Sequence, residues 1–208
     1  MRPWPGPGTD YRKASVLILL YPRSGEDYII FTRRTDTVEH HKGQISLPGG
    51  SQDPTDPDAV YTALRETQEE LGIDPNLLQV VGTLKDVYVP VSGFVITPVV
   101  ARLKVDGSGA ESTSGAPASH NSSSEVLLFK PNPHEVAEII EVPLDALRDD
   151  AIHRTEVRTV NGVTHHVHYY LYGPYEIWGA TGRIIYEFLA RGQGSGIRDQ
   201  PLPESTDP

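Results

Sequence analysis

Leu64-Arg65-Glu66-Thr67-Gln68-Glu69-Glu70-Leu71-Gly72-Ile73 begins 14 residues after the pair Gly49-Gly50. Read as a helix at 3.6 residues per turn, Glu66 and Glu70 lie one turn apart on nearly the same line, with Glu69 alongside, so the three carboxylates share an arc of roughly 100°. Like charges packed this closely repel unless something positive sits among them. Arg65, four residues before Glu69, can brace it as an ion pair along the helix. Oxygen donors in this number suit Mg²⁺ or Mn²⁺, which keep water ligands that substrate phosphates can replace. Val60, Ala63, Leu64, Thr67 and Leu71 gather on another side and are expected to face the core. An isolated pair of glutamates would read as a solvated acidic face. The complete Arg-Glu-x-x-Glu-Glu-x-Gly spacing and the glycine loop upstream favour a metal site.

Working outward, Asp56-Pro57-Asp58 predicts the helix start, with Asp56 at the N-cap and Pro57 at N1. The helix is expected to run to Leu71 and to stop at Gly72. Before it, Ser15 to Tyr21 and Asp27 to Arg33 read as strands joined through residues 22–25, and the near-continuous apolar run of the first suits a strand covered on both faces. After it, Gln79 to Val89, Gly93 to Leu103 and Glu135 to Val142 read as strands, with a helical turn near Leu144 to Leu147. Asn161-Gly162 predicts a hairpin turn between strands at Arg154 to Val160 and Val163 to Leu171. A last helix is expected over Trp178 to Ala190.

The chain has 208 residues, no cysteine and a formal charge of −10. That length suits one domain able to bury a substantial core without disulfides. The absence of cysteine excludes thiolate metal sites and a cysteine nucleophile. The acidic balance argues against nucleic acid or an anionic membrane surface as the main partner. With no signal-like apolar run at the start, a cytoplasmic protein is expected. Residues 1–11 read as a flexible arm, 12–191 as the domain, and 192–208 as a disordered tail. Residues 106–124, Gly, Ser and Ala with almost no bulky apolar side chains, read as a flexible insertion.

Residues 49 to 73 resemble the signature of the Nudix hydrolases, G-x5-E-x7-R-E-U-x-E-E-x-G-U with U bulky and apolar. Here Asp56 stands where the first Glu belongs, one extra residue precedes Arg65, and Thr67 holds a U position. Asp56 is either the acid of that motif or only an N-cap. Upstream, Thr32, Arg34, Gly43, Pro48, Gly49 and Gly50 fall in register with the second motif of the coenzyme A diphosphatase subgroup. Thr35 and Leu47 replace its small residue and its Phe, and Glu39 stands where that motif has Arg. An acid at 39 would repel the phosphates of coenzyme A, which Lys42 or Arg33 would have to offset. Later segments, around Asn132 to Leu144 and Ile177 to Thr181, extend the resemblance over about residues 13 to 190.

The resemblance implies a Nudix fold, a mixed sheet in an α/β/α sandwich. It also implies metal-dependent hydrolysis of a nucleoside diphosphate derivative, with coenzyme A or an acyl-CoA giving 3′,5′-ADP and phosphopantetheine. Glu66, Glu69 and Glu70, with the Gly50 carbonyl, would hold Mg²⁺ or Mn²⁺, and Glu69 or Glu70 would take the proton from the attacking water. Arg34 would grip a phosphate, Gly49 would let the backbone approach it, and Lys42 and His41 would touch substrate. Glu135 or Glu138 could add a carboxylate, or each could be a strand-surface acid. His165, His166 and His168 are expected to be structural or substrate-lining. Alternatives are a Nudix hydrolase of ADP-ribose, a dinucleotide or a modified nucleoside triphosphate, and a non-catalytic Nudix-fold binding protein. A homodimer is compatible with the family.

Overall fold

The structure, a computed structural model, describes residues 10–23, 25–35, 43–104, 129–160 and 163–193. Glu39, His41, Lys42, the 106–124 segment and the Asn161-Gly162 turn lie outside them. Strands β1 (Arg12–Arg23), β2 (Glu26–Arg34), β3 (Ile45–Ser46), β4 (Gly49–Ser51), β5 (Leu78–Thr83), β6 (Val87–Val89), β7 (Phe94–Leu103) and β8 (Val136–Pro143) form one sheet. Its spine runs β3-β2-β1-β7-β5, with β8 on β2, β4 on β1 and β6 on β7. The β1–β7 pair is parallel and the others are antiparallel, so the sheet is mixed. A second sheet has the order β11 (Tyr175–Ile177), β10 (Val163–Tyr172), β9 (His153–Val160).

Strand alternation explains why the main sheet is covered twice. From β1, Ile18 and Leu20 enter a cluster with Ile184 and Ile185 of α3 (Gly179–Gln193). Their neighbours Leu17, Leu19 and Tyr21 enter a second cluster with Ala63 and Leu71 of α1 (Ala59–Leu71). Fully burying such a leucine or isoleucine contributes about 1.5–3 kcal/mol, so the unbroken apolar run in β1 holds both layers. A four-residue helix, α2 (Leu144–Leu147), packs Leu144 and Leu147 into the α3 side.

The start of α1 differs from the expectation. Asp58, not Asp56, is the N-cap, its side chain accepting from the Tyr61 amide, and Pro57 lies outside the helix. Asp56 is buried instead, because Arg65 and the Thr62 hydroxyl give it stronger partners than helix amides would. The stop is as expected: Gly72 caps the helix at φ 70° and returns its amide to the Gln68 carbonyl. Thr67, polar at an apolar position, is fully buried with its hydroxyl bonded to the Ala63 carbonyl, which satisfies it within the helix. The strand expected over Gln79 to Val89 is two strands, broken by Leu84, Lys85 and Asp86.

Candidate active site

The glycine loop reaches the carboxylate helix through strand β4. Gly49 pairs with Val16 and Gly50 with Ser15, which fixes the loop against β1. Gly49 has φ 144°, and a Cβ there would meet the Ser15 carbonyl oxygen at 2.2 Å. Only glycine fits so close to another backbone at that dihedral. A Cβ on Gly50 would instead lie 2.4–2.8 Å from the Glu66 carboxylate. The two glycines therefore bring bare backbone against the helix face that carries the acids.

The three glutamates have different surroundings. Glu70 is 3 % exposed and accepts from the Gly49 amide at 3.1 Å. Burial pushes its carboxyl up to about 7; the Gly49 bond and the Arg34 charge oppose this, and Glu66 and Glu135 add to it. Burial likewise raises Glu66, with Arg65 opposing. Glu69 is half exposed and its Oε1 meets Arg65 Nη1 at 3.3 Å, the ion pair expected from the sequence.

Arg65 organises the approach. Its Nε and Nη2 hold Asp56 Oδ1 and Oδ2 at 3.1 and 2.9 Å, and Nη2 also reaches the Ser51 carbonyl and Glu66 Oε1. Bonding from Arg65 holds the Asp56 carboxyl down at about 2. The same guanidinium thus ties the loop end, the helix and two of its acids together.

Arg34 ends β2, and its charge is felt at Glu70. Its Nε is buried and has no hydrogen-bond partner among the described residues. A buried donor without a partner costs free energy, and an anion at that nitrogen would remove the cost. Glu135 adds its charge to Glu66 and Glu70, while Glu138 is committed elsewhere, accepting from Arg33 at 2.9 Å and from the Tyr175 hydroxyl at 2.6 Å. Those two bonds hold the Glu138 carboxyl below its ordinary range, Tyr175 contributing most.

Glu135 is delivered by the Asn132 segment, one of the later stretches that extend the resemblance, at the entry to β8. The Asn132 amide bonds the Glu70 carbonyl, the Lys130 amide bonds the Leu71 carbonyl, and the Asn132 carbonyl accepts from Glu135 and Val136. The orphan carbonyls at the end of α1 are satisfied by the segment leading into β8, which brings a fourth acid.

His168 is buried and sits in a ring stack with Tyr186 at 3.8 Å and His153 at 5.3 Å, its Nδ1 3.1 Å from His153 Nε2. Burial pushes it down to about 4. Its ring is committed to that stack, against Tyr186 of α3.

Among the described residues no group of three or more Asp, Glu or His side chains is placed to hold an ion as it stands. The reason is visible in the partners: Glu69 is turned to Arg65 and Glu70 to the Gly49 amide. The donor set nevertheless fits a divalent cation. Glu70 is buried and Glu66 partly buried, and burial raises both carboxyls, so a cation among their oxygens would compensate the charge they lack solvent for.

A mixed sheet between helices, with an acid-bearing helix docked on a glycine strand, is the Nudix fold. The fold is shared with a Caenorhabditis elegans Ap4A hydrolase solved as a binary complex, at a TM-score of 0.51 and 16% identity over 88% of this chain and 99% of that one. The chain belongs to the Nudix family: residues 11–160 match the NUDIX domain. It is 33% identical over 183 residues to the "Uncharacterized Nudix hydrolase NudL" of Photorhabdus laumondii subsp. laumondii, covering 88% of this chain and 86% of that protein. It is 34% identical over 179 residues to "Nudix hydrolase 22, chloroplastic" of Arabidopsis thaliana, covering 84% of this chain and 53% of that protein. The protein is a Nudix hydrolase, a diphosphatase acting on a nucleotide diphosphate derivative. No helix among the described residues is long and apolar enough to cross a membrane.

Proposed function

We propose that the substrate is coenzyme A or an acyl-CoA, cleaved at its diphosphate to 3′,5′-ADP and (acyl-)phosphopantetheine. The reading rests on the motif residues Thr32, Arg34, Gly43, Pro48, Gly49 and Gly50 standing in register upstream of the carboxylate helix. The observation that carries it is the unsatisfied Arg34 Nε beside Glu70, a seat for a phosphate oxygen next to the acids.

Glu66, Glu69 and Glu70, with the Gly50 carbonyl, would hold Mg²⁺ or Mn²⁺. The bound ion would offset the charge of the diphosphate and lower the pKa of the attacking water. Arg34 orients the phosphate. Glu70, whose carboxyl lies near neutrality without metal, and Glu69, more exposed, are the two groups that could accept the water proton. Glu135 adds a fourth carboxylate beside them. Arg65 and Asp56 fix the helix against the loop and touch no substrate.

Product analysis by mass spectrometry tests the proposal, with Mg²⁺ and coenzyme A, ADP-ribose, NADH, diadenosine polyphosphates and 8-oxo-dGTP offered separately. Fastest release of 3′,5′-ADP from coenzyme A is expected. Faster cleavage of another diphosphate would assign that substrate and mark Glu39, the acid in place of the motif's Arg, as the sign of a changed pocket.

A further inference from the structure

We propose that the groove between β3 and β11 is the base subsite of this diphosphatase and that it takes a purine. The groove has a volume of about 270 Å³, slightly under the roughly 300–1,000 Å³ of pockets for drug-sized ligands. That is the scale of one heterocycle, not of a whole dinucleotide. The proposal rests on the reading of Arg34 and the glutamates as the phosphate site.

Two chain segments join the groove to that site. Arg33 lines the groove and the adjacent Arg34 faces Glu70, with an irregularity in the β2–β8 register between them. Neighbouring Cα atoms are about 3.8 Å apart, so the backbone of the groove wall at Arg33 adjoins that of the phosphate site at Arg34, with the two side chains leaving the strand on opposite faces. The other segment is the motif loop itself: Gly43, Gln44 and Ile45 line the groove, and Gly49 meets Glu70 a few residues later.

The wall is built in advance. Trp178 is 41 % exposed, yet its indole is stacked on Tyr169 at 5.9 Å and 10°, with the Arg158 guanidinium 6.0 Å from its ring. Tyr175 is held by its hydroxyl on Glu138, which also holds Arg33. An exposed aromatic that is backed by another ring loses little freedom when a base stacks on it. Gln44 and Glu176 also line the groove, Glu176 with its carboxylate on the Arg154 guanidinium at 3.1 Å. A purine covers more of the indole than a pyrimidine does, so stacking favours it.

The test uses the full chain with Trp4→Phe, which leaves Trp178 as the single tryptophan of the two in the sequence. Its fluorescence is titrated with adenosine 5′-monophosphate, cytidine 5′-monophosphate and ribose 5-phosphate. Saturable quenching by the purine nucleotide, weaker quenching by the pyrimidine and none by ribose 5-phosphate are expected. In kinetics, Trp178→Ala should raise KM on the order of tenfold with kcat nearly unchanged, and Trp178→Phe should recover most of the loss. Unchanged fluorescence at saturating purine nucleotide, or equal quenching by ribose 5-phosphate, would overturn the subsite. The titration needs no turnover, so it decides the groove even if coenzyme A proves to be the wrong substrate.

Discussion

Arg65 grips Asp56 with two nitrogens, at 3.1 and 2.9 Å, while the same guanidinium reaches Glu66 at 2.9 Å and Glu69 at 3.3 Å. Asp56 is therefore the anchor against which two of the acids are aimed. Asp56→Asn keeps the shape and the Thr62 contact but removes the charge that holds the fork. Losing a group that orients metal ligands typically costs about 10–100-fold in metal affinity or activity. That range is expected for kcat/KM with Mg²⁺, and for Mn²⁺ affinity by calorimetry. The pair also shapes acid stability. The Asp56 carboxyl is held at about 2 in the fold, below its ordinary 3.8, so its stabilisation is complete above about pH 4 and disappears as pH falls towards 2. The Asn variant should lose the part of the acid transition that falls in that window.

Sequence could name Asp56 but could not choose its role. The Asp-Pro order points the helix-start rule at Asp56, and what moves the cap to Asp58 is Arg65, nine residues from Asp56, which only the fold brings near. The spacing of Glu66, Glu69 and Glu70 was legible because helix geometry is local. Their unequal burial was not, since it depends on Gly49, Gly50 and the Asn132 segment arriving from elsewhere in the chain. The two-layer core was legible in β1, whose unbroken apolar run has no solvent face. The short strands β3, β4 and β11 were not, because two or three residues carry no period. The Trp178 groove was equally invisible, being assembled from Arg33, residues 43–45, residues 174–176 and Trp178.

The two loop glycines should fail in different ways. Gly49→Ala places a methyl against the Ser15 carbonyl and the Val16 Cα at 2.2 and 2.6 Å, at φ 144°. Backbone cannot yield as a side chain can, and the dihedral alone costs on the order of 1–3 kcal/mol. For Gly50→Ala the three nearest atoms all belong to the Glu66 carboxylate, which can swing aside. Thermal unfolding should therefore show a large loss for Gly49→Ala and a small one for Gly50→Ala. The latter should still lose activity, with Mn²⁺ affinity falling as Glu66 is displaced. Equal unfolding midpoints for the two variants would contradict the packing described.

Arg34 should act on substrate and not on the fold. Its Nε has no hydrogen-bond partner among the described residues, so no bond from that nitrogen is lost with it. Arg34→Lys keeps the charge near Glu70 but gives up the planar fork that matches a phosphate. A rise in KM on the order of tenfold is expected, with Mn²⁺ binding and the unfolding midpoint nearly unchanged. A variant with wild-type KM would remove Arg34 from the phosphate site.

Glu70 should make the metal-free protein less stable as pH rises. Its carboxyl titrates at about 7 in the fold against an ordinary 4.5, so between those values the folded state holds a proton that the unfolded state has released. Stability therefore falls from about pH 4.5 to pH 7, by about 3 kcal/mol in all at 1.36 kcal/mol per pH unit. Glu70→Gln is nearly isosteric, can still accept from the Gly49 amide, and has no such titration. Urea unfolding after chelation should give similar stabilities for the two proteins near pH 5, with the Gln variant the more stable at pH 8. Mg²⁺ should then raise the wild type at pH 8 while leaving the variant nearly unmoved, since the ion supplies the charge that the buried carboxylate lacks. Parallel pH profiles for the two proteins would show that Glu70 is not the group responsible.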